Sequence, residues 1–148
     1  MSRKQLRERL MQMLFQMDIQ KDYSETARNA YVAVYMPESG QTEYFDTLYA
    51  LIRDNLESID AAIEECSDNW SVGRMAKVDL SILRLAAGEI IYIDGIPDSA
   101  SANEAVNLAK KFGGDDSRKF VNGILGRLIQ RKTAVTPEAG RRPDDAGL

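Results

Sequence analysis

The chain has 148 residues, 44% apolar and 28% charged, the balance expected of one soluble globular domain with its own core. It holds no histidine and a single cysteine, Cys66, which excludes Ser-His-Asp and Cys-His catalysis, the usual zinc sites and any disulfide framework. No apolar run is long enough to span a bilayer, and the opening MSRKQLRERLMQML has neither an h-region nor a small-residue cleavage site. A reducing cytoplasm, and no membrane, is the expected setting. The net charge of −4 is unevenly spread. Residues 1–11 carry Arg3, Lys4, Arg7 and Arg9 against Glu8. Residues 109–132 carry seven cations against Asp115 and Asp116, whereas residues 22–68 carry eleven acids against Arg28 and Arg53. If the two basic segments meet in the fold, they form one cationic patch on an otherwise acidic molecule.

Helical periodicity dominates, with no convincing pair of strands. A first helix is expected over 3–20, with Leu6, Leu10, Met13, Leu14 and Met17 as its core stripe. Met11, Phe15 and Ile19 recur every four residues on the opposite side. A helix apolar on two faces is either sandwiched or presents one face to a partner, and this face could also self-associate into a homodimer. The four cations at its start oppose the helix dipole, a small cost that hints at phosphate binding.

A second helix is expected over 25–36, with Ser24 as N-cap and Pro37 beyond its end. PESGQ reads as a loop. Phe45, Leu48, Ile52, Leu56, Ile59 and Ile63 predict one helix over 42–66, linked by SDNW to another over 73–93. There VDLSILRLAAGEIIYI is apolar nearly all round, the mark of a buried central helix. DGIPD is a turn.

The next helix is expected to open with a capping box formed by Ser101 and Glu104, and to bury Ala105, Leu108, Ala109 and Phe112. Gly113 or Gly114 is expected to close it in a left-handed conformation. Asp115 or Asp116 is then expected to cap a last helix over 117–132. GGDDSRK lacks the spacing of a phosphate loop, and its adjacent acids lack the ligand ladder of a calcium loop. Residues 133–148, rich in Pro, Gly and charge, read as a disordered tail after a single domain at 1–132.

In the last helix Val121, Ile124, Leu125, Leu128 and Ile129 face the core. At about 100° per residue, Phe120 falls roughly 100° from the centre of that cluster, near Lys119 and Arg127. That placement suits a core-margin phenylalanine, and equally a platform on which an unpaired base stacks while cations hold phosphates. Six to seven helices and no sheet define an all-α bundle.

IPDSASANEAVNLAKKFGGDDSRKFVNGILGRL resembles the C-terminal signature of the NusB family of transcription antitermination factors. That signature is Ile-Pro, Asn-Glu-Ala-Val, Ala-Lys-x-Phe-Gly, then Ser-x-x-Phe-Val-Asn-Gly-x-Leu. VDLSILRLAAGEI resembles the family's central helix and RKQLRERLMQMLFQMD its Arg-rich opening, so the likeness spans about residues 2–131. Two departures are Leu6 and Arg9 where the family often has small residues, and Gly88 where it often has tyrosine.

The resemblance implies two packed helical bundles, no enzymatic activity and no cofactor. It implies pairing with ribosomal protein NusE, binding of the boxA element in nascent ribosomal-RNA leaders, and support of RNA polymerase within an antitermination complex. It places RNA contacts on Arg3, Lys4 and Arg7, and on Asp116, Ser117, Lys119, Phe120 and Asn122, to which the helical wheel adds Arg127. It places the NusE contact on Phe15 and Asp79, the first of which lies on the Met11 and Ile19 face. A second implied possibility is the helical RNA-binding module of a ribosomal-RNA cytosine methyltransferase without its catalytic domain. That reading lacks any glycine-rich cofactor loop or βα alternation to support it.

Overall fold

The computed structural model describes residues 1–37 and 42–139. Seven α-helices and no strand occur among them: α1 (Arg3–Gln20), α2 (Glu25–Tyr35), α3 (Glu43–Asp54), α4 (Leu56–Glu65), α5 (Lys77–Tyr92), α6 (Asp98–Phe112) and α7 (Ser117–Ala139). A short 3₁₀ turn, Val72–Arg74, precedes α5. The loop expected at 37–41 falls, past Pro37, outside the described residues. So does the expected tail beyond 139, whereas residues 133–139 continue α7.

α5 is the hub. It packs against α1, α3, α4, α6 and α7. Every residue from Asp79 to Ile90 is buried, as its all-round apolar sequence predicts. Gly88 permits a close approach to α3, since a Cβ there would stand 2.6 Å from Cγ1 of Ile52. The apolar stripes of α1, α3, α4, α6 and α7 complete one continuous core.

Four local expectations are corrected. The helix expected over 42–66 is two, because the backbone leaves the helical region at Asn55 (φ −124°, ψ 24°). The Asn55 side-chain amide donates to the Leu51 carbonyl at 2.8 Å, a local bond that competes with helix continuation. Ser101 and Glu104 do not form the start of α6, which begins three residues earlier at Asp98, after Pro97. Ser101 is instead buried, and its hydroxyl donates to Oε1 of Glu89 at 2.6 Å. The capping box that does form is at α1. Ser2 Oγ accepts from the Gln5 N–H at 3.1 Å, and Gln5 Oε1 accepts from the Ser2 N–H at 2.8 Å.

Neither Gly113 nor Gly114 is left-handed; among the described glycines only Gly95, in the DGIPD turn, has positive φ. Gly113 is extended (φ −91°, ψ −178°) and is needed for closeness instead. A Cβ there would lie 2.4 Å from Ser117 Cβ and 2.8 Å from the Ala109 carbonyl oxygen. The turn is tied not by the side chain of Asp115 or Asp116 but by Ser117, whose Oγ accepts from the Gly114 N–H at 2.9 Å. Ser24, by contrast, caps α2 as expected, accepting from the Ala27 N–H at 3.2 Å.

Candidate functional site

Two buried ion networks fix α1 antiparallel along α5. At one end, Arg7 Nε donates to both Glu89 oxygens at 3.1 and 3.0 Å. Glu89, 1% exposed, also accepts from Tyr44 and Ser101. At the other end, Asp18 accepts from Lys77 Nζ at 2.5 Å, Arg84 Nη1 at 3.0 Å and the Tyr23 hydroxyl at 3.0 Å. Arg84 also grips Asp60 with two bonds, at 2.9 and 2.8 Å. Burial alone would raise the Asp18 carboxyl, but these three donors overcome it and hold the group down at about 2. Burial pushes the Tyr23 hydroxyl up to about 12, against the pull of Arg84, so it remains a donor.

Phe15 lies one turn before Asp18 on α1. Asp79, in the first turn of α5, is 8% exposed, and its Oδ1 is buried without a hydrogen-bond partner among the described residues. Of the apolar face predicted on α1, Ile19 is 55% exposed and Phe15 is half-buried. Met11 departs from the expectation: at 2% exposed it belongs to the core. Next to Leu10 and one turn before Leu14, it lies at the edge of the stripe, which is wider than a strict two-face reading allows.

The second site is the exposed edge of α7. Lys119, Asn122 and Arg127 are exposed, and Phe120 is half-buried against the margin of the core. Lys119 has no ion pair among the described residues. Arg127 reaches the Cys66 carbonyl, and Arg131 bonds Glu65 Oε1 and the Glu65 carbonyl, each at 3.1 Å. Cations on the last carbonyls of α4 suit its negative dipole end. They also dock α7 beside the turn that follows α4.

Trp70 in that turn meets Phe120 edge-on, ring centroids 6.1 Å apart and planes at 70°, a favoured aromatic geometry. In the sequence Trp70 stands in the SDNW linker. The only signal for it was a lone tryptophan among polar residues. A cavity of about 240 Å³ is lined by Trp70 and Phe120 together with Asp68, Lys119, Gly123 and Arg127.

The residues expected together are only partly so. Arg3 and Lys4 are exposed at the start of α1, with the Arg3 guanidinium 3.8 Å from the centre of the Tyr44 ring. Lys111 Nζ, near the end of α6, bonds Glu8 Oε1 at 3.0 Å, which links the first basic segment to the second. Arg7 and Ser117 stand apart from the exposed residues of this set. Both are buried and spent within the chain, Arg7 on Glu89 and Ser117 on the turn. Asp116 is exposed.

Helices wrapped on a central buried helix, with one aromatic and basic edge and one apolar and acidic edge, define an all-α recognition protein. The chain belongs to the NusB family, whose model matches residues 4–130. It is 44% identical over 138 residues to the transcription antitermination protein NusB of Alkaliphilus oremlandii, covering 93% of this chain and 100% of that one. It is 40% identical over 132 residues to the protein of that name from Acetivibrio thermocellus, covering 89% and 91%. Among solved structures it matches T. maritima NusB with a TM-score of 0.79 at 31% identity, covering 88% and 92%. A chain from the crystal structure of antitermination factors NusB and NusE in complex with dsRNA shares the fold, with a TM-score of 0.78 at 24% identity over 87% and 96%. No helix among the described residues is long and apolar enough to cross a membrane.

Proposed function

We propose that this protein is a cytoplasmic transcription antitermination factor that acts by binding rather than by catalysis. Paired with NusE, it holds the boxA element of nascent ribosomal-RNA leaders and supports processive transcription by RNA polymerase. The relatives named for antitermination, matched over nearly their whole length, support this reading. The methyltransferase-module reading has no comparable support.

The observation that carries the proposal is Phe120, half-buried at an edge where Lys119 and Asn122 are exposed. Phosphates of a single strand would lie on Lys119, Arg3 and Lys4, with an unpaired base on the Phe120 ring and the Asn122 amide and Asp116 carboxylate at base edges. Arg127 would add charge beside them while bracing α7. Arg7 and Ser117 would act indirectly, by fixing the start of α1 and the start of α7. NusE would dock on Phe15 and Ile19, with a donor supplied to Asp79 Oδ1; Met11 would support that face from beneath.

A mobility-shift assay with boxA RNA, with and without NusE, tests both surfaces. Phe120→Ala should weaken RNA binding roughly 5- to 150-fold, the worth of one stacked base, with helical circular dichroism unchanged. Unaltered affinity removes the stacking role. Phe15→Asp should weaken the NusE complex while leaving the fold intact, and undiminished complex formation removes that assignment.

A further inference from the structure

Trp70 is the single tryptophan of the chain and is 50% exposed. It does not hang on a loose loop. Asp68 and Asn69 are both left-handed (φ 57° and 64°), a conformation that Asp and Asn tolerate better than most residues with a side chain. The Asn69 N–H donates to the Glu64 carbonyl at 2.8 Å, and the Trp70 N–H to the Ser67 carbonyl at 3.1 Å. The Ser67 hydroxyl lies 3.1 Å from the carbonyls of both Glu64 and Trp70, donating to one at a time. Beyond the ring, the Val72 N–H donates to Glu64 Oε2 at 2.8 Å. The backbone on both sides of Trp70 is therefore held, while the indole is left outside the core.

The indole borders two hollows. One is the cavity of about 240 Å³ shared with Phe120, Lys119 and Arg127. It is smaller than the ~300–1,000 Å³ of small-molecule pockets, and two of its lining residues are aromatic. The other, about 420 Å³, leads past Asn69 and Ser71 to Arg74. Lys119 and Arg74 are exposed and have no ion pair among the described residues. Asp68 lines both hollows. Its carboxylate repels phosphate and accepts from the N–H groups on a base edge.

We infer that Trp70 is a second stacking residue: an unpaired RNA base stacks on the exposed indole beside the hollow that Trp70 and Phe120 both line, and the strand continues toward Arg74. The inference rests on the reading of the α7 edge as an RNA surface and lengthens that surface by the turn after α4. Single-stranded RNA suits the site better than an apolar protein segment. Lys119 lines the hollow with the two aromatics and Arg74 lies at the end of the neighbouring one, neither with an ion pair among the described residues, and every base offers a π-face to an indole. Asp68 at the mouth favours a base with an N–H on its exposed edge.

The test uses Trp70 as its own reporter, since no other tryptophan emits. Fluorescein-labelled boxA single-stranded RNA, followed by anisotropy, gives binding to the wild-type chain at low salt. Unlabelled RNA of the same sequence, followed by tryptophan emission, gives contact at Trp70. We expect saturable quenching with the same midpoint as the anisotropy curve, lost when one particular base is made abasic. Trp70→Ala should bind roughly 5- to 150-fold more weakly, and Trp70→Phe should recover most of that loss.

If anisotropy saturates while emission stays constant and Trp70→Ala binds like the wild type, this inference is overturned and the Phe120 reading stands. If emission responds to NusE but not to RNA, the indole serves the protein partner and the inference is likewise overturned. If the wild type binds no RNA in either readout, with or without NusE, the RNA reading itself fails and this inference with it. Should Trp70→Ala lose its helical circular dichroism, wild-type quenching and the abasic scan decide the matter.

Discussion

The seam between α1 and α5 and the open edge of α7 both hold charged side chains, under opposite conditions. In the seam, Arg7, Arg84, Asp18 and Glu89 are all less than a tenth exposed, and each is bonded to an opposite charge. At the edge, Lys119 stands in solvent beside a half-buried phenylalanine and has no such partner among the described residues. A buried charge must be paired because desolvation is costly, and a paired charge cannot also bind a ligand. An exposed charge contributes little to stability and is open to a phosphate. The molecule thus separates the cations that hold α1 on its hub from those that can meet RNA.

Substitutions can break or sharpen this contrast. The largest effect is expected in the seam. Glu89→Ala strands Arg7 and removes the acceptor of Tyr44 and Ser101, and should cost about 3–5 kcal/mol in urea unfolding. A loss under about 1 kcal/mol would show that the seam is wetter than its burial indicates.

The turn that positions the edge comes next. Gly113→Ala drives a Cβ to 2.8 Å from the Ala109 carbonyl oxygen and against Ser117, and should cost about 1–3 kcal/mol. Gly114→Ala, with nothing within 4 Å of the added Cβ, should change stability by less than about 1 kcal/mol. Equal effects at the two glycines would remove the close-approach argument.

Asp18 gives a pH signature. Its folded carboxyl sits at about 2, below the ordinary 3.8. The unfolded chain therefore takes up the proton first as pH falls. The stabilisation is full above the ordinary value and is lost between there and about 2, with a slope of at most ~1.4 kcal/mol per pH unit from this group. Asp18→Asn should flatten the acid limb of the stability curve measured from pH 6 to 2. An unchanged limb would mean that other carboxyls dominate it.

The smallest effect is expected at the surface bridge. Lys111→Ala breaks the contact with Glu8 and should change stability by less than about 1 kcal/mol. Any larger loss would place that pair with the seam rather than with the edge.

Much of the fold was legible because helical periodicity is a local property. The stripe of α1 and the all-round apolar α5 needed no tertiary information. Phe120 was placed at the core margin by angle alone, and it lies there, half-buried. The errors cluster where one motif has two uses. S-x-x-E at Ser101 and S-x-x-Q at Ser2 both fit a capping box. Only Ser2 caps, because Ser101 is drawn into the bonds of Glu89. Met11 matched the exposed face by spacing, yet packs inside. Trp70 had no periodic pattern to reveal it, since its importance lies in facing Phe120 from another element.

Local sequence dictates which segments are helical, which helix is central, and where charge of each sign is concentrated. These follow from side-chain spacing over a few turns. Tertiary structure alone decided which cations are spent and which remain open. The bonds that decide it join residues 66 and 82 positions apart, as in Asp18–Arg84 and Arg7–Glu89. No local pattern encodes such a pairing, because its free energy comes from burial that exists only once the helices have packed.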